Sequence, residues 1–205
     1  MNLSQIPVVF FRVPEIVSSI LPSLIITAAS FGPTTMFLKN PLNSDLSNDY
    51  GNLAQRVLTF IYKNNECLIP NKGSYTLEDK ELLKDMGEAK DNIINYMQNY
   101  QVTNALEELW KVIREANSYI DTEAPWSLKN TDIDRMNTVL NTLCIVIKKI
   151  SLIALNFTPD GANKILDQLS ISKKDRKYRN FDDPLDNAKI KKPEGVFPRL
   201  EKIND

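Results

Sequence analysis

Two short stretches place side chains where they could do chemistry. Asn52 and Arg56 stand four residues apart. On a helix that spacing puts them on one face, beside rather than opposite the apolar stripe. An amide and a guanidinium so placed form a compact set of donors suited to the edges of nucleic-acid bases. The same spacing also fits a polar border residue next to a surface arginine held in an ion pair. Trp126 follows Ala124 and Pro125. A tryptophan on a proline-set turn has few free torsions and suits a stacking platform, where a base on an aromatic ring contributes roughly 1–3 kcal/mol. A tryptophan that plugs the end of a helix bundle has the same sequence context. Trp110, in contrast, lies mid-helix beside an apolar stripe and reads as packing.

Several chemistries are excluded by count. The 205 residues contain no histidine, so a histidine general base, a Ser-His-Asp or Cys-His arrangement and a histidine metal ligand are all absent. Two cysteines, Cys67 and Cys144, cannot form a four-cysteine zinc site, and in a reducing compartment they read as buried or half-buried thiols. The six glycines form no GxGxxG or GxxxxGK[ST] loop. The carboxylates are scattered. Asp132 and Asp134 read as helix-start residues favoured by the helix dipole, and Glu107 and Glu108 have Lys111 at helical distance. No catalytic residue and no metal site is expected.

The elements that must position these residues are helical. Apolar residues make up 42% and charged residues 25% of the chain, a balance that supports a packed core. Apolar positions recur every three to four residues at Leu46, Tyr50, Leu53, Val57 and Ile61. A second stripe runs through Leu82, Met86, Ala89, Ile93 and Met97, opened by Thr76 with Asp79 as a capping pair. A third carries Leu106, Leu109, Ile113, Ala116 and Ile120 and stops at Pro125. A fourth starts at Thr131, with Asp134 three residues on, and runs through Val139, Leu143, Ile147 and Ile150. The last opens with Thr158 before Pro159, a cap followed by proline at the first helical position. The expected fold is all-α: a bundle of about five helices over 42–170, with an extended charged C-terminal tail over 171–205. The basic run KKDRKYR in that tail reads as a solvated patch.

Residues 1–41 differ. The apolar stretch 16–31 contains Pro22 and falls short of the ~20 residues that span a bilayer. Only Arg12 precedes it, too little charge for a secretory signal. It is expected to cover the bundle or to pair with another domain, with no membrane involved. The net charge of −1 argues against binding duplex nucleic acid by phosphate neutralisation. It leaves open the reading of single-stranded loop bases, which rests on stacking and hydrogen bonds.

Beyond periodicity, the motifs resemble those of one family. NSDLSNDYGNLAQRV (43–57) resembles the helix that opens the anticodon-binding domain of methionyl-tRNA synthetases. ANSYIDTEAPWSLKN (116–130) resembles that family's AN-Y-D-APW-L-K hallmark. DRMNTVLNTLCIVI, TPDGANKILDQL and GVFPRLE follow in the family's order, so the resemblance covers about residues 42–201. It implies a bundle that recognises the CAU anticodon loop of methionine tRNA. The family's anticodon-reading asparagine and arginine match Asn52 and Arg56, and its stacking tryptophan matches Trp126.

The family's HIGH-like and KMSKS-like motifs and its zinc-knob cysteines are not found, and proline stands at 41 where the family usually has arginine. The resemblance thus implies a cytoplasmic module that binds tRNA and does not charge it alone. ATP and methionine would bind a catalytic domain outside this chain, in one reading a separate partner chain, onto which the tail packs in relatives. A helical docking module and an inactive remnant of the synthetase stand as alternatives.

Overall fold

The computed structural model describes residues 42–185 and 187–197, with side chains from Leu46 onward. The apolar stretch 16–31 and the end of the GVFPRLE motif lie outside the described residues. The chain enters through a π-helical segment, Leu42–Gly51, that runs directly into α1, Asn52–Asn64. Then come α2 (Leu77–Gln98), α3 (Val102–Glu123), the single turn α4 (Pro125–Leu128), α5 (Ile133–Ala154) and α6 (Pro159–Gln168). Two 3-10 turns, Lys173–Asp175 and Tyr178–Asn180, lie in the tail. The five longer helices match the all-α expectation, and an isolated bridge between Leu68 and Lys189 is the only strand-like pairing among the described residues.

α5 is the centre. It packs against α1, α2, α3, α4 and α6. Seventeen of its 22 residues are buried, which makes it apolar nearly all round, as a helix surrounded by others must be. Among the described residues it is the one helix long and apolar enough to cross a membrane, and here that composition is used for the core. Several of its buried polar groups bond within the bundle: Tyr50 donates from α1's approach to Ser151 Oγ at 2.7 Å, and Ser151 donates to the Ile147 carbonyl at 2.7 Å. α2 and α3 form an antiparallel hairpin across a three-residue turn in which Tyr100 takes φ 59°. Their stripes are those the sequence shows, except that Leu106 is only partly buried and Ala105, Val112 and Tyr119 take core places. Trp110 packs partly buried against the core.

The caps carry one correction. Thr76 and Asp79 form the expected reciprocal box at the start of α2. At α5 the cap is Asp132, whose Oδ1 accepts from the Arg135 amide at 2.9 Å, and not Thr131. Thr131 is absorbed by α4: its amide and its hydroxyl donate to the Leu128 and Ser127 carbonyls, which leaves the next residue to cap. Lys111 pairs with Glu115 at 3.9 Å, while Glu108 accepts from Asn92, so the expected pairing near Glu107 and Glu108 is displaced by one turn.

Asp79 does more than cap. It is fully buried, and Arg135 of α5 grips both its oxygens, at 2.6 and 3.0 Å. Tyr119 of α3 donates to the same carboxylate, and the Thr76 amide adds a fourth bond at 2.9 Å. Arg135 also reaches Glu123 of α3, at 2.8 Å. One carboxylate thus ties the starts of α2 and α5 to the end of α3. Burial pushes the Asp79 carboxyl up, but the hydrogen bonds from Arg135, Tyr119 and Thr76 outweigh it and hold the group below its usual value.

The tail returns over the bundle. Phe181 is buried with the ammonium groups of Lys149 and Lys90 over its ring, at 4.7 and 5.2 Å. Lys149 pairs with Asp182, and the largely buried Lys148 donates to the Asp183 carbonyl. Burial pulls the Lys148 ammonium below its ordinary value. Within the basic run Arg176 departs from the solvated patch. Its guanidinium is buried against Asn163, Asp167 and the Ile171 carbonyl, where it fastens the tail to the side of α6. At the end of the described tail, Phe197 stacks at a tilt on Tyr50, 5.6 Å between centroids. Its ring fills the space above Gly161, where a Cβ would lie 2.2 Å from it. Cys67 and Cys144 are both free, the latter buried in α5.

Three substitutions probe these contacts. Arg135→Ala should cost about 3–5 kcal/mol in urea denaturation, because it strands a buried carboxylate. Since the folded-state value of Asp79 is lowered, its contribution is complete above the unfolded value of about 3.9 and is lost as pH falls through the folded value. Asp79→Asn should therefore flatten the acid limb of the stability curve below about pH 4. Gly161→Ala would ordinarily gain up to about 1 kcal/mol in a helix. Here it should instead destabilise by about 1–3 kcal/mol, since the Phe197 ring must leave its seat; a raised melting temperature would contradict that placement.

Candidate nucleic-acid interface

Trp126 stands at the start of α4, and the backbone explains why it stays there. Ala124, the last residue before Pro125, sits in the left-handed region at φ 42°, ψ 60°. That conformation is unfavourable for alanine, and more so before proline, at about 1–3 kcal/mol. It persists because both flanks are fixed. The Ala124 amide bonds the Ile120 carbonyl at 3.0 Å, and its carbonyl accepts from Ser127 at 2.8 Å. Glu123, one residue before, is clamped by Arg135. Pro125 is buried, and α4 packs on α5. The indole is left 45% exposed on this anchored turn.

Arg56 meets it from α1. Its guanidinium lies over the indole, 5.1 Å from the ring centroid, and donates to Asp121 of α3 at 2.6 Å. The ion pair that sequence spacing allowed is therefore present, and it coexists with the stacking. At 29% and 63% side-chain exposure the pair adds little to stability, about 0–1 kcal/mol. Its effect is to aim the guanidinium. The plane is held by one carboxylate and one ring, and Arg56's remaining N–H groups stay available.

Together Arg56 and Trp126 wall an open groove of about 480 Å³, floored by Val57, Phe60, Ile120, Pro125 and Leu140. The floor is apolar and the rim carries Gln55, Lys63 and Asn64. An apolar floor under an aromatic wall and a polar rim is the character of a site for a planar group with hydrogen-bonding edges. Asn52 is not part of this groove. It is exposed, one helical turn from Arg56, and lines a second depression of about 320 Å³ shared with Ser47, Gly51 and the tail residues Val196 and Phe197. Gln55 borders both. The structure thus brings Arg56 and Trp126 into contact and places Asn52 in the adjoining hollow.

Sequence reasoning on single residues missed the supports. Asp121 aims Arg56. Lys129 donates to Asn64 Oδ1 at 2.8 Å, joining the end of α4 to the end of α1. Asn117 donates to the Asp49 carbonyl at 3.3 Å, tying α3 to the π-helical segment. The signal was present in the ANSYIDTEAPWSLKN stretch. Ala116 packs in the core, Tyr119 binds Asp79, Ala124 makes the turn and Pro125 anchors it.

An all-α bundle with a half-exposed tryptophan under an arginine, beside a ridge of amides, is a helical module with a recessed surface of mixed aromatic, apolar and amide character. The family model for the anticodon binding domain of methionyl tRNA ligase matches residues 69–202, a stretch that includes Trp126 and follows Asn52 and Arg56. The chain belongs to that family.

Its relatives agree. The methionine–tRNA ligase of Rickettsia conorii is 36% identical over 182 residues, covering 84% of this chain and 36% of that protein. That of Brucella suis is 35% identical over 168 residues, covering 81% and 33%. The crystal structure of the apo form of Mycobacterium tuberculosis methionyl-tRNA synthetase superposes with a TM-score of 0.77 at 30% identity, over 80% of this chain and 34% of that one. The chain thus spans about a third of the length of the curated relatives it matches.

Proposed function

We propose that this chain recognises the CAU anticodon loop of methionine tRNA, as the anticodon-binding part of a cytoplasmic methionine–tRNA ligase. The observation that carries the reading is the Arg56 guanidinium held over the half-exposed Trp126 ring, above an apolar floor. In this reading the first anticodon base, unstacked from the loop, lies on the Trp126 indole. Arg56 and, from the neighbouring hollow, Asn52 donate to base edges. Asn52 suits that role because its exposed amide makes no hydrogen bond among the described residues.

Aminoacylation itself is assigned to the family's catalytic domain, where ATP and methionine bind, whether that domain belongs to the same polypeptide or to a partner chain. None of the groups in the groove is suited to activate an amino acid. Arg56 and Lys63 are cations without a neighbouring base, and the one carboxylate in contact, Asp121, is engaged by Arg56.

The test is binding of a labelled CAU stem-loop to wild type and Trp126→Ala. The variant should bind about ten- to a hundredfold more weakly, from the stacking magnitude, with unchanged helicity. Changing the first loop base should weaken wild-type binding and affect the variant less. Equal affinity of wild type and variant for CAU would overturn the stacking role.

A further inference from the structure

Gln55 lies between Asn52 and Arg56 in sequence and is the residue that the two hollows share. Its Nε2 donates to Thr59 Oγ1 at 3.1 Å, one turn further along α1. Its Oε1 is buried and has no hydrogen-bond partner. A buried acceptor left open is unfavourable, and native proteins retain few without a reason. Gln55 is half-buried at the edge of the core, where methionine would occupy about the same volume without an unmet oxygen. The position supplies a reason, since the amide lies at the junction of the Trp126 groove and the Asn52 hollow. The terminal amide torsion of glutamine is soft, so a small rotation brings the oxygen to the groove surface.

Resting on the anticodon reading above, we infer that Gln55 is a specificity-determining residue of this interface, whose Oε1 accepts a hydrogen bond from the exocyclic amino group of an unpaired base. The donors already in the site cannot make that selection. Arg56 offers only N–H groups, which suit keto oxygens and ring nitrogens and reject an amino group. An acceptor is needed to favour cytosine over uracil or adenine over hypoxanthine; Asp121, the nearby carboxylate, is engaged by Arg56, and the Asn52 oxygen lies in the adjoining hollow, outside the Trp126 groove. Gln55 provides an uncharged acceptor that does not repel the RNA backbone.

The experiment uses the full chain and its Gln55→Met variant. The probes are three stem-loops: CAU, the loop with uracil at the first position, and the loop with inosine at the second. The variant should bind CAU roughly three- to tenfold more weakly, the loss of one hydrogen bond. It should bind one of the two keto-substituted loops as well as wild type does, so that discrimination disappears at one position and persists at the other. Its melting temperature should change little, because losing the Thr59 hydrogen bond is offset by removing an unmet acceptor. Wild-type discrimination retained at both positions, or lost equally at both, would overturn the assignment. Trp126→Ala in the same assay separates the two readings. If Trp126 matters and Gln55 does not, the acceptor role alone falls. If neither substitution changes binding, the anticodon reading falls with it.

Discussion

A single buried carboxylate holds the end of this bundle together. Asp79 begins α2, yet its oxygens are taken up by α3 through Tyr119 and by α5 through Arg135. A desolvated carboxylate tolerates no loose partner, because one unmet charge costs more than the whole arrangement contributes. That demand fixes the spacing of three helix ends. Arg135 cannot reach Asp79 unless α5 starts where Asp132 caps it, and it cannot reach Glu123 unless α3 runs to its last residue. The segment between, from Ala124 to Thr131, has no freedom left. The left-handed Ala124, the buried Pro125 and the single turn of α4 are the path that remains. Trp126 is exposed at a defined place because a buried ion pair beyond that turn leaves it nowhere else to go.

The other wall of the groove is placed by independent means. α1 is set by its core face of Leu53, Val57 and Ile61 against α5, and its approach is held by Asn117 and by the tail. The tail contributes through shape more than charge. Phe197 fits only because positions 51 and 161 are glycine, and Ser47 hydrogen-bonds the Phe197 carbonyl at 3.0 Å. The hollow around Asn52 is therefore half helix and half tail. Two glycines more than 100 residues apart serve one aromatic ring, a relation that periodicity does not display.

How legible the fold was follows from this division. The long stripes were legible, because burial of one helix face imposes a repeat that survives every local exception. The cap at Thr76 was legible for the same local reason. The cap at Asp132 was not, since Thr131 satisfies the same pattern and only the existence of α4 disqualifies it. Arg176 read as solvent-facing because charge runs usually are, yet Asn163 and Asp167 of α6 and the Ile171 carbonyl give it a buried seat that composition does not display. At the site, spacing identified Asn52, Arg56 and Trp126 as candidates but left each with a bland alternative. Geometry shows that for Arg56 the alternatives are not exclusive, since the surface ion pair to Asp121 is what aims the guanidinium at the ring. Asp121 and Gln55 lay beside the candidates in sequence, and only contact distances and an unpaired oxygen distinguish them from ordinary helix-surface residues.

The low net charge of the chain bears on what such a surface can do. A protein that holds nucleic acid mainly by neutralising phosphates gains affinity without sequence information, and loses it steeply with salt. With a net charge of −1 this chain has little of that general attraction to offer. What the groove has instead is a ring, a guanidinium already committed to one carboxylate, and uncharged amides. These reward a base that leaves its stack and presents the right edge, and give almost nothing to a duplex whose bases stay paired. The pairing of Arg56 with Asp121 sharpens this further, since an arginine whose charge is met by a neighbour contributes geometry more than field. A surface of this kind trades affinity for discrimination.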